Sequence, residues 1–398
     1  MNHAFWLAAF WGSAAWLGYL YLGYPLALWM MRRWRPSCHH LVDDDYLPAL
    51  SVLIAARNEE KDIWWKVEET LHWDYPADRL QVLVASDASD DRTDEVLATI
   101  RDPRFVFVRM PRRGGKNVAL EHLATLATGE ILLFSDANSH IDARSVRNMV
   151  RHFADAEVGC VTGIERPPAP AGKPTSDSAG GAYLRYEAWV NQLESCLGSV
   201  LVCDGSIFCI RRDLFDGLDP ELANDLEQPL KIGARGWKLL YEPEAYSVES
   251  PTASARQEFA RRRRICGQGL LATWRLRSRL RGFRLWQFAS RKMLRWFGLV
   301  PLAVLLASSL ALFRLPLFAA LALVQLFCFL LALAGWVLAA MGRRPGTLFA
   351  LPYYYVLLNV AALAGAADAL RGRRYGVWDV ATLSRGRDAH PQVEARHA

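Results

Sequence analysis

The sequence predicts an α/β domain built on a mostly parallel sheet and flanked at both ends by apolar helices that cross a membrane. Three observations predict it. The apolar share is 52% of 398 residues, which is more than one water-soluble core of that size uses. Residues 4–31 contain no Asp, Glu, Lys or Arg, a stretch longer than the roughly 20 apolar residues a helix needs to cross the hydrocarbon layer. From about Leu47 onward, short β-rich apolar runs alternate with longer mixed segments, the rhythm of strand and helix in α/β proteins.

Residues 4–31 read as a spanning helix and not as a cleaved leader. A leader's apolar region runs for roughly 7–15 residues behind a basic start, whereas here the basic cluster Arg32, Arg33 and Arg35 follows the apolar run. Because positive residues stay on the cytoplasmic side, this cluster places the amino terminus outside and the central domain, residues 47–270, in the cytoplasm at a cell inner membrane. Residues 297–313, 315–341 and 347–367 form three further apolar runs broken by Arg314 and by Arg343 and Arg344, so residues 297–370 are expected to hold about three helices ahead of a tail at 371–398. A conflict follows. Three crossings would put Arg371, Arg373 and Arg374 outside, against the charge rule, whereas two crossings with 297–313 re-entrant or flat would keep them inside. Within residues 274–296, Arg275, Arg277, Arg279, Arg281, Arg284, Arg291, Lys292 and Arg295 interleave with leucines and aromatics. That pattern predicts an amphipathic helix along the interface, with a charged surface loop as the alternative.

Charge and cysteine content narrow the classes further. The formal charge of +6 comes from arginines crowded against apolar segments and not from a base-reading motif, so the lipid bilayer, and no nucleic acid, is the expected partner. The seven cysteines form no Cys-x-x-Cys pair and read as reduced packing residues in place of a zinc site or disulfide framework. The proline-rich PPAPAGK at 167–173 reads as an exposed loop and a candidate flap.

The strands expected in the central domain are residues 49–56, 80–86, 105–110 and 130–136. Polar clusters follow each strand, at 57–60, 87–91, 112–117 and 136–138. In an open α/β sheet that carboxyl edge is where ligands bind. Asp136 and Asn138 offer a carboxylate and an amide oxygen that suit Mg2+ or Mn2+ held against a diphosphate, although Asp at a strand end also serves as a turn former. Arg112-Arg113-Gly114-Gly115-Lys116 combines flexible backbone with positive charge suited to phosphate, without the spacing of a P-loop. Asp225 precedes an apolar-periodic helix, so it reads either as a helix cap or as a general base. The arginines at 261–264 suit a departing diphosphate or lipid headgroups.

In order along the chain, SVLIAARNEE (51–60), DYPADRLQVLVASDASDDRTDEV (74–96), RRGGKNVAL (112–120), LLFSDANSHI (132–141), DGSIFCIRRDLF (204–215), NDLEQPLKIGARGW (224–237) and EFARRRRI (258–265) resemble the family 2 glycosyltransferases. The branch they resemble is that of the membrane synthases of cellulose, chitin, hyaluronan and poly-N-acetylglucosamine. The resemblance implies a GT-A fold that binds a nucleotide-sugar, commonly with uridine diphosphate as leaving group. It implies Arg57 and Glu59 at the nucleotide, Asp87 at the uracil edge, Lys116 toward the phosphates and Asp136 opening the Asp-x-Asp metal motif. Asn138 stands where that motif has its second Asp. Asp225 matches the base of Thr-Glu-Asp, with Asn224 in place of Glu. Arg264 matches the Arg of Gln-x-x-Arg-Trp, with Ile265 in place of Trp.

These parts imply inversion. Asp225 takes the acceptor's proton while charge growing on the diphosphate meets a cation at Asp136 together with Lys116 and Arg264. Trp189, Trp237 and Trp274 could stack on sugar rings, but packing or interfacial anchoring explains each more simply. The expected activity is transfer from a nucleotide-sugar, a UDP-sugar by the resemblance, to a growing polysaccharide at the membrane, with export or accessory subunits as possible partners. The alternatives are single addition to a lipid or lipid-linked acceptor, and an inactive scaffold, which the retention of Asp87, Asp136, Asp225 and Arg264 disfavours.

Overall fold

A computed structural model describes residues 3–34, 40–166, 179–249, 254–343 and 345–375. They fall into two compact units, Arg35–Ala253 with Tyr375–Ala398, and Met1–Trp34 with Ser254–Arg374. The loop expected at 167–173 and nearly all of the expected tail lie outside the described residues.

The first unit is built on one sheet of strands β1 (Leu50–Ala56), β2 (Leu80–Ser86), β3 (Phe105–Arg109), β4 (Ile131–Asp136), β5 (His140–Ile141), β6 (Val158–Arg166), β7 (Ile207–Arg211) and β8 (Lys238–Val248), in the order β3-β2-β1-β4-β7-β6-β8-β5. The four strands expected from sequence are β1 to β4, each within one residue of its expected bounds. They pair in parallel. Beyond β4 the sheet is mixed, because β7 runs antiparallel to both β4 and β6, and β5 is antiparallel to β8. Past that reversal β6 and β8 pair in parallel again, so parallel pairings outnumber antiparallel ones and the sheet is mostly parallel as expected.

Every residue of β1 is buried, as a sheet covered on both faces requires. The alternation of the pleat sorts them. Leu50, Val52 and Ile54 pack with Ile63 and Val67 of the helix Ile63–Leu71, while Leu53 and Ala55 pack with Ala119, Leu120 and Leu123 of the helix Lys116–Leu126. The strand ends are level. Ala56 pairs with Ser86, Ala55 with Asp136, and Ser86 with Arg109. The residues that follow β1, β2 and β3, and the last residue of β4, therefore emerge along one edge.

In the second unit, helical backbone runs through His3–Gly18, a π turn at Tyr19–Gly23, and Tyr24–Trp34. Among the described residues, Pro316–Ala340 and Thr347–Leu370 are long and apolar enough to cross a membrane. The expected run at 297–313 forms the helix Leu299–Ala311 of 13 residues, about 20 Å at 1.5 Å per residue, shorter than a hydrocarbon core of roughly 30 Å. It is bent by 60° from Gly282–Trp296, and the pair together counts as at most one further span. The expected amphipathic helix at 274–296 is not continuous: the helix Ala255–Arg275 ends, turns intervene, and helix resumes at Gly282, whose φ of +52° favours glycine. Arg263 of Ala255–Arg275 pairs with Asp368 of Thr347–Leu370, its Nη2 donating at 2.8 Å. A Cβ at Gly365 would meet the Arg263 carbonyl, so these two helices touch backbone to backbone.

Candidate active site

The site residues expected from sequence in the first unit lie at the ends of β1, β2, β4 and the loops beside them. Arg57, 8% exposed, donates from Nη1 to the carbonyls of Asp87 and Ala88 at 2.6 Å each and from Nη2 to Asp90 Oδ2 at 2.7 Å. It braces the loop after β2. Asp87 is fully buried, and its two carboxylate oxygens accept the N–H groups of Gly114 at 2.7 Å and Gly115 at 2.9 Å. The side chain expected to read a base therefore holds the Gly-Gly turn ahead of Lys116, and Gly115 takes a φ of +93° that only glycine adopts without strain. Asn58 and Ala88 also lie in the left-handed region, at φ 54° and 50°, a strain that concentrates at functional sites. The Glu59 N–H donates to Thr93 Oγ1 at 2.8 Å.

At the end of β4, Lys116 Nζ donates to Asp136 Oδ1. Asn138 Nδ2 donates to Glu249 Oε1, directly after β8. The loop between β4 and β5 is held by two side chains of the helix Ile63–Leu71. Lys66, 1% exposed, donates from Nζ to the Ser139 carbonyl at 2.6 Å. Glu69 accepts the Ile141 N–H at 2.6 Å and meets His140 Nδ1 at 2.8 Å. Burial pulls the Lys66 ammonium down from 10.5 to about 8, opposed by the carboxylates of Glu69 and Asp136. Sequence reading missed Lys66, Glu69 and Glu249. A signal existed for Lys66, which shares the apolar stripe of Ile63, Val67 and Thr70 at helical spacing, whereas nothing in the sequence marks Glu249. Among the described residues no group of three or more His, Cys, Asp or Glu is gathered as a ready metal site.

Asp225 lies in the first turn of the helix Asn224–Ala234, whose cap is Ala223 without a side-chain bond. The capping role open to Asp225 is therefore not the one it plays. A Cβ built on Gly205 would stand 3.3 Å from Asp225 Oδ2, a tight contact that the carboxylate could relieve only by shifting a few tenths of an ångström. The Asp225 carbonyl accepts the Cys203 N–H at 2.9 Å. Beside it, Asn224 is 4% exposed and its Nδ2 has no hydrogen-bond partner, a buried donor still available. The approach to this helix is fixed by Lys231, which donates to the carbonyls of Asp216 and Gly217 at 2.7 and 2.9 Å. Asn117 fixes it too, through the carbonyls of Asp219 and Leu222 at 2.6 and 3.0 Å. Lys116 and Asp225 thus hang from connected elements. Burial raises the Glu227 carboxyl, with Lys231 opposing. Arg264 belongs to the helix Ala255–Arg275 of the other unit. Trp237 packs against the core, while Trp189 and Trp274 are exposed.

Residues 51–218 match the family model described as glycosyl transferase family 2. The chain is 25% identical over 201 residues to a beta-monoglucosyldiacylglycerol synthase of Synechocystis sp., covering 48% of this chain and 42% of that protein. It is 26% identical over 226 residues to an N-acetylglucosaminyltransferase of Rhizobium meliloti, 50% of each chain. It is 23% identical over 211 residues to the poly-beta-1,6-N-acetyl-D-glucosamine synthase of Staphylococcus aureus, 51% of this chain and 50% of that one. The chain spans about half the length of the curated relatives it matches. Among solved structures it superposes with a TM-score of 0.71 and 22% identity on the mannosyltransferase PcManGT of Pyrobaculum calidifontis in complex with GDP-Man and Mn2+, covering 94% of this chain and 100% of that one. The class this defines is that of the fold, a GT-A-like mixed α/β domain, within which residues 51–218 are similar to glycosyl transferase family 2.

The buried lysine makes a prediction about stability. Its folded value lies below its ordinary 10.5, so between about 8 and 10.5 the unfolded chain binds more protons and stability rises with pH. Urea unfolding should show the parent gaining on the order of 3 kcal/mol over Lys66→Met across that window, and parallel profiles would contradict a buried, charged Lys66.

Proposed function

We propose that the chain is an inverting transferase that moves a sugar from a nucleotide-sugar, a UDP-sugar by preference, to a hydroxyl of a lipid or lipid-linked acceptor at the membrane. The observation that carries this reading is the place of Asp225, a carboxylate in the first turn of a helix, facing Gly205 and next to the unpaired Asn224 donor. Asp225 takes the proton of the acceptor hydroxyl as that oxygen attacks the anomeric carbon on the face opposite the diphosphate. No second carboxylate nucleophile is needed, so one displacement inverts the anomeric centre. Asn224 Nδ2 is placed to donate to a sugar or acceptor oxygen.

The residues at the end of β4 fit a divalent cation. Asp136 brings charge, and the Glu249 contact holds the Asn138 amide by its nitrogen, leaving its oxygen as the atom to offer. Mg2+ or Mn2+ bound there would offset negative charge on the leaving diphosphate. Lys116 adds a cation of the chain's own at that edge. Asp87 and Arg57 act by shaping the two loops that flank the nucleotide, and Glu59 lies beside them.

A lipid acceptor is favoured because, among the described residues, two C-terminal helices, or three counting the bent pair, are long and apolar enough to span, few to enclose a glycan path. The polymer reading stands second, supported by the resemblance to a poly-N-acetylglucosamine synthase. Export or accessory subunits have no observation behind them. The catalytic domain is read as cytoplasmic at an inner membrane. Arg263, on the helix that follows that domain in sequence, pairs with Asp368 at the carboxyl end of Thr347–Leu370, so Arg371, Arg373 and Arg374 return to the cytoplasmic side after two crossings.

Three measurements test this. Membranes supplied with a panel of radiolabelled UDP- and GDP-sugars should transfer label to a lipid-extractable product, and label confined to a long insoluble glycan would favour the polymer reading. Asp225→Asn should bind nucleotide-sugar nearly as the parent does yet lose transfer by 100- to 10,000-fold; a folded, binding variant that retains more than about a tenth of the rate would place the base elsewhere. A reporter fused after Gly376 should give a cytoplasmic signal, and an external signal would restore the three-crossing arrangement.

A further inference from the structure

We propose that Lys116 is the internal counterion of the cation site, holding the Asp136 carboxylate until a nucleotide diphosphate draws its ammonium away, so that divalent-cation binding depends on the nucleotide. This rests on the reading of Asp136 as a cation ligand. The acidic edge at the end of β4 faces two lysines of opposite character. Lys66 is immobile: it is 1% exposed and its Nζ is fixed on the Ser139 carbonyl at 2.6 Å. Lys116 is half-screened, with 18% of its side chain exposed against 28% for Asp136, and its Nζ sits on Asp136 Oδ1.

The backbone beneath Lys116 is held by several contacts, its side chain by the one to Asp136. Asp87 clamps the N–H groups of Gly114 and Gly115. The Ala119 N–H returns to the Gly115 carbonyl at 3.2 Å. Asn117 is buried and tied by its side chain to the carbonyls of Asp219 and Leu222. What remains free to move is the four-carbon stem of Lys116, a flexible tether for a point charge. An ammonium and a divalent ion on one carboxylate repel each other, and the low dielectric of a partly buried site enlarges that repulsion. A diphosphate offers Lys116 another anionic partner, leaving Asp136 to the cation. Lys66 stays below the loop in either arrangement, so the loop keeps its shape while Lys116 changes partners.

The test uses the full chain in detergent, with Mn2+ binding followed by the EPR signal of free Mn2+, with and without UDP and in parallel with GDP, corrected for Mn2+ held by free nucleotide. The parent should bind Mn2+ weakly alone and more tightly with the nucleoside diphosphate. Lys116→Gln should bind Mn2+ about tenfold more tightly than the parent without nucleotide, and nucleotide should then add less than it adds in the parent. Lys116→Ala serves as a second neutral variant, and Lys116→Arg, which keeps the charge, should keep the parent's weak nucleotide-free binding. Asp136→Asn should lose Mn2+ in both conditions. If Asp136→Asn binds Mn2+ as the parent does, the cation is not held at Asp136 and the underlying reading fails. If Asp136→Asn loses Mn2+ but the neutral Lys116 variants bind it no more tightly than the parent, or if the parent binds Mn2+ equally well with and without nucleotide, the counterion role is overturned.

Discussion

The parallel pairing of β1 with β2 on one side and β4 on the other sets the position of everything else in the catalytic unit. Ala56 is level with Ser86, and Ala55 with Asp136, so the chain leaves three adjacent strands at the same height. A slip of one residue would turn the buried side of each strand to the wrong helix layer, and the fully buried β1 forbids it. Hydrophobic packing on two faces thus determines where the polar residues after each strand must stand. Arg57, Asp87 and Asp136 are neighbours because Leu53, Leu83 and Phe134 are.

Once gathered, these charges are shared out by short, directed contacts. Arg57 and Asp87 interact with backbone, so they give the loops shape at the cost of their own freedom. The positive backbone angles at Asn58 and Ala88 persist because those contacts over-determine them. Asp136 and Asp225 are set up differently. Asp136 has lysine Nζ contact on one side and a loop supported from below by Lys66 and Glu69. Asp225 stands at a helix start with a glycine opposite it. The first arrangement suits a group that trades cations, and the second suits a group that must stay ionised beside an incoming hydroxyl.

Much of this was legible in the sequence, for a physical reason. The four strands β1 to β4 are continuous apolar runs ended by polar residues, the pattern a doubly covered parallel sheet demands, and their ends named the edge where those polar residues gather. The reversal at β7 was not legible, since Ile207–Arg211 has the same composition whichever way it runs. Lys66 was marked only by its place on an apolar helix stripe and Glu249 by nothing, because their importance lies in what the fold brings to them: Ser139 is 73 residues from Lys66, and Asn138 is 111 from Glu249. The helix expected at 274–296 failed at Gly282, where interleaved arginines and leucines gave amphipathic composition but not backbone continuity. The bonds of Asp87 to Gly114 and Gly115 were not legible, because those neighbours have no side chains to announce the contact.

The central claim is that the edge formed by the ends of β1, β2 and β4 and the Gly114–Gly115 turn is where a nucleoside diphosphate and its cation bind. Hydrogen exchange by mass spectrometry on the full chain, with and without UDP or GDP and Mn2+, tests it most directly. The account predicts new protection concentrated in residues 57–60, 87–91, 112–117 and 136–141, with little change in β6 and β8. Protection that leaves those four segments unchanged and appears elsewhere in the chain would contradict it.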